Sequence, residues 1–169
     1  MAKEITPIRG NRVYLLPLKM KNVTKEYLSW LNDSNTNKYL KTKRETMSGL
    51  RKYVKERIDR PGIFFAGIFD KQTDQHIGNV QIEIDLVKKR GALGILIGES
   101  DYRGRGIGTE VTGLVVQHAF RELKLNEVWL SVEADNLAGR RAYEKVGFKS
   151  VGYDEKTSRV TMSIKNDKH

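Results

Sequence analysis

The chain contains no cysteine among its 169 residues. Disulfides, thiolate metal sites and a cysteine nucleophile are therefore excluded. Histidine is almost as scarce: His76, His118 and His169 stand far apart with no ligand spacing, so no metal is expected. No apolar run approaches the roughly 20 residues that a bilayer requires. The opening Met1-Ala2-Lys3-Glu4-Ile5 lacks the apolar core of a signal peptide, so cytoplasmic residence and no membrane partner are expected. Internal repeats and low-complexity segments are also missing. At this length one domain with a real core is expected, spanning 1–169.

Charge is abundant instead. Lys and Arg number 31 against 21 Asp and Glu, a net charge of +10. Such a balance suits an anionic partner. Coenzyme A, a nucleotide-linked substrate and nucleic acid are candidates, and simple solubility charge is the bland alternative. The positive residues are dispersed along the chain, which disfavours nucleic acid. Monomer and homodimer both remain open.

Periodicity organises the chain. Arg12 to Pro17 reads as a strand, and Val23 to Leu31 and Ser48 to Ile58 as amphipathic helices. Pro61-Gly62 breaks the second helix. Strands are expected over Ile63 to Phe69, His76 to Leu86 and Leu93 to Gly98, then a helix over Val111 to Leu123. Glu127 to Val132 is the next strand. Leu137 to Val146 is a short helix closed by Gly147, and two strands follow, one from Phe148 and one over Val160 to Ile164.

The most informative segment is Tyr102-Arg103-Gly104-Arg105-Gly106-Ile107-Gly108-Thr109-Glu110, at the junction between the Leu93 strand and the following helix. Three glycines at alternate positions strip Cβ atoms from the turn, so backbone N–H groups can approach a bulky anion. The helix start adds unpaired N–H groups and the positive end of its dipole. Together they make a phosphate cradle, with Arg103 and Arg105 as fixed charge beside it. A P-loop is excluded because no lysine follows the last glycine. The dinucleotide pattern is excluded because Val111 stands where its third glycine or alanine belongs.

Arg103 to Gly108 reads Arg-x-x-Gly-x-Gly, which resembles the pyrophosphate loop of the GNAT superfamily of acetyl-CoA-dependent N-acetyltransferases. About thirty residues on, Asn136-x-Ala138-x-x-x-Ala142-Tyr143-Glu144-Lys145-x-Gly147-Phe148 is similar to that family's second signature, its first alanine one position early. The resemblance is specific from about Gly78 to Gly152. Gly10-Asn11-Arg12-Val13-Tyr14-Leu15 and Tyr27-Leu28-Ser29-Trp30-Leu31-Asn32-Asp33 are similar to openings in two branches. One acetylates ribosomal-protein N-termini, the other amino groups on nucleotide-linked sugars.

The resemblance implies a single-domain α/β GNAT fold: a central mixed, mostly antiparallel sheet of about seven strands with four helices. It implies acetyl-CoA as co-substrate and no metal. The pyrophosphate would lie on Arg103, Gly104, Arg105, Gly106, Ile107, Gly108 and Thr109. The pantetheine arm would pair with Ile95, Leu96 and Ile97, the N–H near Ile97 polarising the acetyl carbonyl. Gly94 and Gly98 either let this strand splay or pack tightly against a neighbour. Asn136 would hold the pantetheine amide, although it equally suits a helix N-cap. Tyr143 would protonate the departing thiolate, since a phenol of pKa near 10 is protonated at neutral pH. Glu99 is the first candidate for the base, Glu83 the second and His76 the third. The acceptor is expected to be a small-molecule primary amine, a nucleotide-linked amino sugar foremost. The basic stretch Lys38, Lys41, Lys43, Arg44, Arg51, Lys52, Lys55, Arg57 and Arg60 either steers that anion or is a solvated face. A protein N-terminus, and a non-catalytic domain binding CoA or nucleic acid, are the alternatives.

Overall fold

The computed structural model describes residues 6–36, 38 and 45–167. His169, Met1 to Ile5, and Lys41, Lys43 and Arg44 of the basic stretch lie outside them. The strands are β1 (Ile8–Arg9), β2 (Val13–Pro17), β3 (Ile63–Asp70), β4 (His76–Asp85), β5 (Arg90–Ile97), β6 (Glu127–Glu133), β7 (Lys149–Asp154) and β8 (Arg159–Lys165). The helices are α1 (Lys25–Asn32), α2 (Met47–Asp59), α3 (Ile107–Arg121) and α4 (Leu137–Val146). One eight-stranded sheet runs in the order β1-β2-β3-β4-β5-β6-β8-β7. The eighth strand, beyond the expected seven, is β1. Its two residues pair with Leu15 and Tyr14 of β2 and are too few to carry a periodic pattern.

Strand alternation divides the core between two faces. On one, Val13, Leu15, Ile68, Val80 and Ile82 meet Val111 and Val115 of α3. On the other, Phe65 meets Leu50 and Val54 of α2 and Tyr27 and Trp30 of α1. Leu50 and Val54 are fully buried, which stabilises the docked α2 by roughly 1.5–3 kcal/mol per side chain. Thr24 and Thr46 cap α1 and α2, accepting hydrogen bonds from the N–H groups of Tyr27 and Gly49.

The site depends on one departure from a regular sheet. β5 and β6 form its parallel pair, and their ladder holds only Arg90–Glu127, Gly91–Val128 and Ala92–Trp129. Beyond Ala92 the two strands part, while β5 stays paired with β4 as far as Ile97. A wedge therefore opens between β5 and β6.

Candidate active site

The wedge exposes one edge of β5, and strand geometry decides which groups face it. Gly98 donates its N–H to Ile77 O at 2.8 Å, so the even-numbered residues point their backbone groups at β4. Ile95 and Ile97 consequently turn theirs toward the wedge, where no strand lies opposite. Leu96 departs from its expected part: its backbone is committed to β4, and its side chain packs with the α1–α2 cluster. Gly98 is required by a close approach. A Cβ there would lie 2.0 Å from Trp30 Cδ2, so the packing explanation holds at this glycine.

The glycine loop lies just past the end of β5. Gly104 and Gly106 have φ of +71° and +78°, a region that side-chain-bearing residues rarely adopt. Gly106 is the left-handed N-cap of α3, with no side-chain cap. The helix thus begins at Ile107, four residues before the apolar pattern starts, and Gly108 and Thr109 belong to its first turn. Among the described residues, the N–H groups of Gly104 through Thr109 have no hydrogen-bond partner. A Cβ added at Gly104 or Gly108 would meet nothing within 4 Å. Unpaired donors beside empty space at a helix N-terminus fit a pyrophosphate.

Arg103 does not line this cradle. Its N–H bonds to Ser100 O. Its guanidinium turns back on β5, with Nε 3.2 Å from Ile97 O and Nη2 donating to Thr36 Oγ1. Arg105 is exposed beside the cradle. A residue without a sequence signal takes part instead: Arg12, nearly a hundred positions earlier, donates from Nη1 to Arg105 O. Glu110 fixes the segment by accepting the N–H groups of Arg12 at 3.0 Å and Val13 at 3.1 Å. Only the folded sheet, which brings β2 beside α3, shows this brace.

Asn136 is the N-cap of α4, its Oδ1 accepting Gly139 N–H at 3.0 Å. Its Nδ2 has no partner among the described residues, so capping leaves a donor over. Tyr143 rests on Phe148, ring centres 5.9 Å apart, and burial raises its pKa. The phenol therefore stays protonated well beyond neutral pH, and its hydroxyl bonds to none of the described residues.

Of the three candidate bases, Glu99 and His76 come together and Glu83 stands apart. Glu99 Oε1 accepts the Trp30 indole N–H at 3.0 Å. His76 is edge-on to Trp30, centres 5.0 Å apart, and stacks on Phe69 at 5.1 Å. Burial lowers the His76 pKa, with Asn79 bonded to its Nε2 and nearby Glu99 acting against that. Glu83 pairs with Arg60 at 3.0 Å and sits opposite Ala92, five residues up β5 from Ile97. That separation is about 16 Å. Among the described residues no group of three or more His, Asp or Glu could hold a metal. No described helix is long and apolar enough to cross a membrane.

A mixed sheet parted beside a glycine-lined helix start is an architecture suited to an extended ligand with an anionic far end. The model of the acetyltransferase (GNAT) domain matches residues 12–149, and the chain belongs to that family of acetyltransferases. It is 35% identical over 122 residues to the "Probable N-acetyltransferase YjcK" of Bacillus subtilis (strain 168), covering 68% of this chain and 66% of that protein. The chain thus spans about two thirds of that relative's length. Its fold is similar to an acetyltransferase (GNAT family) from Bacillus anthracis, with TM-score 0.83, 17% identity, and 95% and 98% of the two chains covered. It is also similar to the spermidine N-acetyltransferase of Vibrio cholerae in complex with CoA and spermine, with TM-score 0.82, 20% identity, and 91% and 95% covered.

Proposed function

We propose that residues 1–169 act as one N-acetyltransferase domain that moves an acetyl group from acetyl-CoA to the primary amine of a small acceptor. The observation that carries this is the open edge of β5 running into an uncapped, glycine-lined helix start. Bound acetyl-CoA supplies an activated acetyl thioester. Gly104 to Thr109 hold its pyrophosphate through backbone N–H groups, with Arg105 and Arg12 as charge beside them. Ile95 and Ile97 meet its pantetheine arm from the strand edge, and Asn136 Nδ2 donates to an amide of that arm. Ile97 N–H faces the acetyl carbonyl and stabilises the charge that develops there. Glu99, oriented by Trp30, takes the proton from the acceptor ammonium. Tyr143 protonates the departing sulfur. Transfer is direct in a ternary complex, because no cysteine exists to carry the acetyl group.

Among acceptors, a nucleotide-linked amino sugar stands ahead of a protein N-terminus, supported by the openings around Val13 and Trp30 and by the basic α2. The test is free-thiol release from acetyl-CoA, run in parallel with a nucleotide-linked 4-amino sugar, an alanine-terminated peptide and spermidine. Turnover with the amino sugar is expected. Turnover confined to the peptide would replace the acceptor assignment, and no release with any amine would contradict the activity.

A further inference from the structure

We infer that Arg57 is a specificity-determining residue of the acceptor side, selecting small amines that also carry an oxyanion, either carboxylate or phosphate. This rests on the acetyltransferase function proposed above. Helix α2 is basic, but its charges differ in fate. Arg51, Lys52, Lys55 and Arg60 are exposed, with Lys55 paired to Asp59 at 2.9 Å and Arg60 to Glu83 at 3.0 Å. Arg57 turns inward, three residues after the buried Val54 and seven after the buried Leu50, on the helix face that meets the sheet.

Its guanidinium stacks 4.4 Å above the centre of the Tyr53 ring, and Tyr53 in turn meets Phe65 of β3 edge-on. Nε and Nη1 are buried and have no hydrogen-bond partner among the described residues. No carboxylate there pairs with Arg57, and of all the acidic residues in the chain only Glu4 lies outside the described set. A half-buried cation without an anion is costly, and stacking on a ring offsets only part of that cost.

A second unpaired group belongs to the sheet face that Tyr53 meets through Phe65. Gln81 is the register partner of Phe65, its side chain lies 3.5 Å from where a Gly94 Cβ would be, and its Oε1 is buried without a partner. The two groups ask for one ligand with an oxyanion for Arg57 and a hydroxyl or amine N–H for Gln81. Gln81 sits opposite Gly94, three residues before Ile97, so the ligand group that meets Gln81 lies on the order of 10 Å along β5 from the acetyl carbonyl. That span suits a small molecule. A guanidinium presents a planar fork that carboxylate and phosphate both match. It would repel a polycation such as spermidine.

The test compares matched acceptors in acetyl-CoA turnover: a 4-amino sugar with and without its nucleotide diphosphate, and 6-aminohexanoate against hexylamine. The anionic member of one pair is expected to have the lower KM, and which pair it is identifies phosphate or carboxylate. Arg57→Gln should raise that KM by about tenfold or more while leaving kcat, the KM for acetyl-CoA and the KM of the uncharged partner nearly unchanged. Equal KM values within both pairs, or a variant that impairs both members alike, would overturn the assignment.

A second measurement needs no turnover. With CoA saturating, so that its own loop is filled, inorganic phosphate should raise the Tm of the parent and not that of Arg57→Gln. The variant without phosphate should be at least as stable as the parent, since it loses an unpaired charge. An equal phosphate shift in both proteins, or a clearly lower Tm for the variant, would show Arg57 to be structural. Absence of turnover with every amine would remove the acetyltransferase function, and the Tm comparison would still decide the role of Arg57.

Discussion

At the scale of the residue, the site separates groups that hold the fold from groups left over to act. Asn136 does both with one amide: Oδ1 caps α4, and Nδ2 is free among the described residues. Asn136→Asp keeps a good cap and removes the donor, so stability should hold while acetyl-CoA affinity falls. Asn136→Ala should lose about 1 kcal/mol of stability as well. Calorimetric binding beside thermal unfolding checks the pair, and equal affinity for Asp and Asn would leave the residue as a cap alone. The Tyr143 carbonyl closes α4 by accepting from Gly147 and Phe148, but its hydroxyl has no structural bond to maintain among the described residues, and burial keeps the phenol protonated. Tyr143→Phe preserves the ring on Phe148 and should lower turnover by roughly 100-fold or more with little change in acetyl-CoA binding. Full turnover at saturating substrates would end its role as the acid.

At the scale of the element, the decisive feature is the first turn of α3. Gly106→Val would combine a filled cradle with the strain of a side chain at φ +78°, so it confounds two effects. Gly108 is the cleaner probe, because its φ is not positive and a Cβ there meets nothing within 4 Å. Gly108→Val should fold normally and lose most of its acetyl-CoA affinity by calorimetry. Retained affinity would show that the ligand does not approach this backbone. The same turn shows how far sequence could lead. Glycine spacing located the cradle, but the apolar pattern put the helix start at Val111, because glycine and threonine in the first turn carry no hydrophobic signal. Alternation placed β4, apolar and β-rich runs placed β3, β5 and β6, and the helix read over Ser48 to Ile58 matches α2 to within a residue at each end. Arg12, Glu110 and Thr36 stayed hidden because their partners are distant in sequence, and Arg57 was one cation among nine until packing turned it inward. The parting of β5 from β6 was legible only through family resemblance, since it is a matter of register.

At the scale of the whole molecule, two half-buried histidines make folding sensitive to acid. Burial lowers the pKa of His76 and of His118 below the ordinary 6.5. Above that pH both folded and unfolded chains hold them neutral. As pH falls through 6.5, the unfolded chain gains protons that the folded chain resists, so stability is full above this value and is lost below it. The urea midpoint should fall between pH 8 and pH 5.5, and His76→Phe, which suits the ring cage, should lessen the drop. An unchanged pH response in that variant would show that His76 charges freely in the native state.

The claim on which everything else depends is that acetyl-CoA lies along the open edge of β5 and ends on the first turn of α3. Amide hydrogen exchange read residue by residue by NMR, with and without acetyl-CoA, tests it directly. Leu96 and Gly98, already bonded to β4, should be protected in both states. Ile95, Ile97 and Gly104 to Thr109 should exchange fast in the free protein and slow sharply when the ligand binds. Saturating acetyl-CoA that leaves those amides exchanging as before would contradict the placement.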